Sequence, residues 1–123
     1  MILSYLICAR PLINVISDEM HHLGMPAQDV VTEEKIERYL DITARAMAKL
    51  KVAAPERSFG RRMADDFLNM ARSYYEDAKH FRDEGDCVTA FAAVNYAHGW
   101  LDCGARIGLF DVGGDDKLFT LFE

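Results

Sequence analysis

The sequence predicts an all-α domain: an up-down three-helix bundle with a long helix-two/helix-three hairpin, a peripheral N-terminal arm and a C-terminal tail. Three observations carry this. Apolar residues recur at helical spacing over three stretches, each stretch opens on a residue able to cap a helix, and Pro55 and Gly85 punctuate the intervals. At 123 residues, half of them hydrophobic, the chain is one domain, long enough to bury roughly two thirds of its unfolded surface without a disulfide or metal.

The first segment, residues 1–27, shows no clean periodicity and is expected to be a peripheral arm or an over-extended start, with Met20 and Met25 standing shortly before the first helix. Its apolar opening, Ile2 to Ala9, lacks the basic region that precedes a signal core and is too short to span a bilayer. The bundle domain is expected over 28–111. Thr32 caps helix one, Glu33 and Glu34 suit the positive end of its dipole, and Ile36, Leu40, Met47 and Leu50 form its apolar stripe with Thr43 filling the gap. Pro55 stops it near Val52. Ser58 caps helix two, whose stripe runs Phe59, Met63, Phe67, Met70, Tyr74, Ala78 and Phe81. Gly85 ends that helix in the left-handed conformation, and Asp86 caps the next one at once, which makes a tight antiparallel hairpin.

Helix three is expected from Cys87 to about Phe110. Ala90, Phe91, Val94, Ala97, Leu101 and Ala105 form one apolar face, while Tyr96, Trp100, Cys103 and Ile107 line much of the other side. Its polar residues, Asn95, Asp102 and Arg106, crowd into a narrow sector, with Asp102 and Arg106 spaced as an i,i+4 pair. A helix apolar nearly all round must be covered nearly all round. After it, 112–123 reads as a flexible Gly-Asp linker and an apolar tail containing Leu118, Phe119 and Phe122.

The stretches KLKVAAPERS (49–58), DFLNMARSYYEDAKHFRDEGD (66–86) and AFAAVNYAHGWLDCGARIGLFDV (90–112) resemble a family of short archaeal helical proteins catalogued as a domain of unknown function. The likeness runs from about Val30 to the C-terminus. It implies an archaeal, cytosolic helical bundle and brings no activity, ligand or catalytic residue with it.

Charge and cysteine usage bound the function. A net charge of -6 argues against a wholly basic nucleic-acid or membrane binder. Cys8, Cys87 and Cys103 form no C-x-x-C pair, which fits a reducing cytoplasm rather than a disulfide framework. Lys49, Lys51, Arg57, Arg61 and Arg62 against Glu56 alone make a local patch of +4, a candidate anion-binding junction between helices one and two. Cys87, His98, Cys103 and His80 carry metal-binding side chains, but Cys103 lies about 140° around the helix from His98, so no metal site is expected. No nucleophile, base pair or phosphate loop shows at a working spacing, and neither catalytic residue nor cofactor is expected. The function predicted is a non-enzymatic helical interaction module. It self-associates or binds a partner helix through Tyr96, Trp100, Cys103 and Ile107, with Leu118, Phe119 and Phe122 of the tail as further candidates. The alternative is an RNA- or nucleotide-associated accessory domain using the basic junction. The tail is expected to dock on its own bundle, over the spare face of helix three.

Overall fold

The computed structural model describes residues 28–121; the expected N-terminal arm and Phe122 lie outside them. The elements are α1 (Glu33–Lys49), β1 (Lys51–Val52), α2 (Phe59–Asp83), α3 (Cys87–Arg106) and β2 (Phe110–Asp111), an all-α bundle with a packed α2–α3 hairpin and one minimal strand pair. All three expected N-caps are in place. The side chains of Thr32, Ser58 and Asp86 accept from the backbone N–H of Lys35, Arg61 and Thr89, each closing the first turn of its helix.

Two glycine terminators set the geometry. At the end of α2, Gly85 has φ +82°, its N–H donates to the Arg82 carbonyl and the Asp86 N–H donates to that of Phe81. At the end of α3 the pattern repeats: Gly108 has φ +84°, its N–H donates to Ala105 and the Leu109 N–H donates to Gly104. Helix three therefore stops at Arg106, four residues earlier than its apolar pattern suggests. The freed segment turns back, so that Phe110–Asp111 pairs antiparallel with Lys51–Val52, Lys51 opposite Asp111. Helix one likewise ends at Lys49, with Leu50 already extended.

The core of α2 differs from its sequence stripe. Of that stripe only Ala78 is fully buried, beside Ala64 and Ala71, while Phe59 is 70% exposed and Met63, Phe67, Met70 and Tyr74 are half-buried. The reason is packing distance. Ala78 of α2 clusters with Ala90 and Ala93 of α3, and Ala64 and Ala71 cluster with Leu101 and Ala105; small side chains at a helix contact bring the two backbones close and leave the larger ones on the flanks. On the other side of α3, Ile36, Tyr39 and Leu40 of α1 cluster with Ala90 and Val94, and Ile42 and Ala46 cluster with Leu101 and Ala105. Helix α1 thus runs parallel to α3 and antiparallel to α2.

Gly104 is fixed by contact as well as by helix packing. A Cβ built there would run into the Phe110 ring, and Phe110 is buried in the strand pair that closes the bundle. Gly104→Ala is therefore expected to destabilise the protein by about 1–3 kcal/mol despite the better helix propensity of alanine. Urea denaturation measures it; unchanged or raised stability would show that Phe110 does not pack against α3.

Candidate functional site

Two surfaces of α3 received candidate residues from the sequence, and the structure treats them differently. The first is taken up by the chain itself. The Gly-Asp stretch forms an ordered turn: Gly113 and Gly114 both have positive φ, the Asp111 carboxylate accepts from the Gly113 N–H, and Asp115 Oδ1 accepts from the N–H groups of Lys117 and Leu118. These bonds and the Lys49 ammonium, 3.3 Å from Asp115 Oδ2, hold the Asp115 carboxyl below its ordinary value. Beyond the turn, Leu118, Phe119 and Thr120 are buried, with Phe119 packed among Leu101, Ala105, Ile42 and Ala46.

A buried polar network pins this segment. The Leu118 carbonyl can only accept, so His98 Nε2 carries a proton and donates to it at 2.8 Å, leaving Nδ1 to accept from the Thr43 hydroxyl at 3.0 Å. One turn on, Asp102 Oδ1 accepts from the Thr120 N–H at 2.9 Å and Oδ2 from its hydroxyl at 3.3 Å. Asp102, spaced for Arg106, has both oxygens committed to the tail. The tail thus docks on the bundle as expected, but over the His98–Asp102 side of α3 and not over the face of Tyr96 and Trp100. Leu118 and Phe119 are interior and do not join that face. Phe122 lies outside the described residues.

Burial disfavours charge on both members of the His98–Asp102 pair, whose Nε2 and Oδ1 stand 3.6 Å apart. It pushes His98 down from 6.5, against the pull of the Asp102 carboxylate, and pushes Asp102 up from 3.8, against the pull of His98 and the two Thr120 donors. Because the native ring resists protonation, the stability it contributes is present above about pH 6.5 and is lost as pH falls below that value. Asp102 acts with the opposite sign: the native carboxyl keeps its proton longer than the unfolded one, so its contribution is lost as pH rises from 3.8 through the raised value.

The second surface is open. Tyr96 and Ile107 are 49% and 53% exposed, Cys103 is exposed and Trp100 is half-buried. With Val88, Ala92 and Gly99 they form an apolar stripe stepping by four and three along α3, bordered by Arg106 at the last turn. Across the groove, Tyr74 meets Tyr96 edge-on at 4.4 Å and Phe67 meets Trp100 at 5.0 Å, which joins the flank of α2 to the stripe. The Trp100 indole Nε1 is shielded and has no hydrogen-bond partner among the described residues.

The basic junction is less basic in space than in sequence. Lys49 pairs with Asp115, Arg61 pairs with Asp65 one turn on, Arg62 stacks over the Phe59 ring at 5.9 Å, and Lys51 stands opposite Asp111. Arg57, at φ +61°, is the one described non-glycine residue with positive φ and is exposed. Among the described residues no group of three or more His, Cys, Asp or Glu converges as a metal site; His98 is held by Thr43 and Leu118, away from Cys87 and Cys103.

These elements define a small helical module whose buried polar cluster serves its own tail and whose remaining distinctive surface is apolar. The chain belongs to the family described as Protein of unknown function (DUF357), whose profile matches residues 38–110, from α1 through β2. No curated protein and no solved structure gives a significant match.

Two outcomes follow from this geometry. Phe119→Ala should cost about 3–5 kcal/mol in thermal or chemical denaturation; a tail that served only as a free binding peptide would lose it at no cost to stability. In an NMR titration the His98 ring should titrate below 6.5, and lower still in Asp102→Asn, where the opposing carboxylate is gone. Titration at or above 6.5 in the parent chain would contradict the buried network.

Proposed function

We propose that the protein is a non-enzymatic interaction module that receives a second helical surface, from another copy or from a partner protein, on the open face of α3. The observation that carries this reading is the continuous apolar stripe of Tyr96, Cys103 and Ile107, exposed along a helix in which the other sides are covered by α1, α2 and the tail. Candidates Tyr96, Trp100, Cys103 and Ile107 are the contact residues in this reading, while Leu118 and Phe119 support it from the interior by fixing α3. An archaeal, cytoplasmic setting belongs to the same reading. It is supported by the motif resemblance noted above and by the free state of Cys87 and Cys103. Among the described residues no helix is long and apolar enough to cross a membrane.

The second reading, an RNA- or nucleotide-associated domain, is favoured by one observation: the exposed Phe59 ring with Arg62 against it, two residues after the exposed Arg57. Against it stand the acidic partners of Lys49 and Arg61. Salt separates the two. Phosphate contacts weaken steeply as salt rises and an apolar interface does not.

The test of the first reading is a paired substitution, Cys103→Arg with Ile107→Glu. Both side chains are exposed, so the melting transition should shift by no more than about 0.5 kcal/mol per site, while association measured by sedimentation or by binding of a partner helix should be lost. Association that survives both charges would refute the reading.

A further inference from the structure

We infer that the occupant of this face is a second copy of the chain, the α2–α3 hairpin of one molecule lying against that of another; this rests on the interaction-module reading and names its partner. Three observations lead there. The first is charge. α3 holds just two charged residues, Asp102 and Arg106, and Asp102 is covered by the tail; on the adjoining flank of α2, Met63, Phe67, Met70 and Tyr74 are likewise without formal charge. Two chains of net charge -6 repel over most approaches, and this face, where α3 carries Arg106 at its edge and no acidic residue, is where they can meet without opposing carboxylates from α3.

The second is area. A helix of 20 residues is about 30 Å long, and two packed side by side present a strip about 20 Å wide, or roughly 600 Å². Two such strips together bury about 1,200 Å², the lower end of the range for specific protein interfaces. A lone partner helix in the groove between Tyr96 and Tyr74 would leave the outer edge of the strip, Val88 and Gly99 among it, in water. A second hairpin has the matching length and width.

The third is shape. Gly99 sits in the middle of the stripe, and nothing lies within 4 Å of where its Cβ would stand. Flanked by Tyr96 and Cys103, it is the point at which another backbone can come closest, as a two-fold self-contact requires of its centre. The same openness supplies the test, because a side chain added at Gly99 meets nothing in its own fold.

The full chain contains a single tryptophan, Trp100, and that residue borders the face. Its emission therefore reports on this surface. In a dilution series followed by sedimentation equilibrium and fluorescence together, the mass should fall from two chains to one while the Trp100 emission moves to the red in step. Gly99→Glu should remain a single chain throughout, with unchanged helicity and melting. Mass of one chain at the highest attainable concentration overturns the inference, as does a two-chain mass that persists in Gly99→Glu with unaltered emission. Acrylamide quenching of a one-chain protein then tells the two failures apart: a quenchable Trp100 leaves the face open for a different protein, whereas a shielded one shows the chain covering its own face and removes the interaction reading as well.

Discussion

α3 carries two charged residues in twenty, and the rest of the molecule is arranged by the need to keep such a helix out of water. Buried alanines let α2 lie close along one side, α1 covers a second with Ile36, Leu40 and Ile42, and the C-terminal segment covers a third with Phe119. Each covering element is short of independent stability. A 17-residue helix and the C-terminal segment hold their shape because α3 offers them an apolar surface. The fourth side is left with Tyr96, Cys103 and Ile107 in contact with solvent, and the proposed function rests on that side.

Apolar contact alone would let the C-terminal segment slide. Its register is fixed by polar groups placed inside the apolar surface: Thr43 orients His98, His98 takes the Leu118 carbonyl, and Asp102 takes Thr120 twice. A buried network of this kind is worth having only when every member finds a partner, since one left unpaired costs more than an apolar pair would gain. The Lys49–Asp115 ion pair at the preceding turn belongs to the same device and draws one cation of the basic junction into the fold. Structure formation and function are linked at this point. The strap that completes the core also neutralises part of the charged surface, and the apolar flank of the α2–α3 hairpin becomes the most distinctive surface that remains.

Local signals in the sequence were legible and non-local ones were not. Thr32, Ser58 and Asp86 could be recognised as caps, and Gly85 as a terminator, because each acts on residues two to five positions away. Gly108 was overrun because Leu109 and Phe110 continue the apolar pattern; Phe110 belongs to a strand pair with Val52, and the Leu109 carbonyl accepts from the Ala53 N–H. Asp102 pointed to Arg106 by spacing, yet its partner is Thr120. The stripe on α2 was visible as a stripe. Its depth was not, since whether Phe59 or Ala64 faces the core depends on how closely α3 approaches. Of the candidate surface, Tyr96, Trp100, Cys103 and Ile107 stand together, whereas Leu118 and Phe119 are interior. Thr43, placed in an apolar stripe by the sequence, was the one signal that a polar partner such as His98 would be found in the core.

If another molecule of the same kind covers the open flank of α3, Cys103 lies under it, while Cys87 packs elsewhere, in the cluster with Phe81 and Phe91. The most direct measurement is the rate at which a thiol-alkylating reagent modifies each cysteine, resolved by peptide mass, as the protein concentration is raised. The account predicts that Cys103 slows several-fold with increasing concentration while Cys87 keeps a constant rate. Rates for both that are independent of concentration would contradict it.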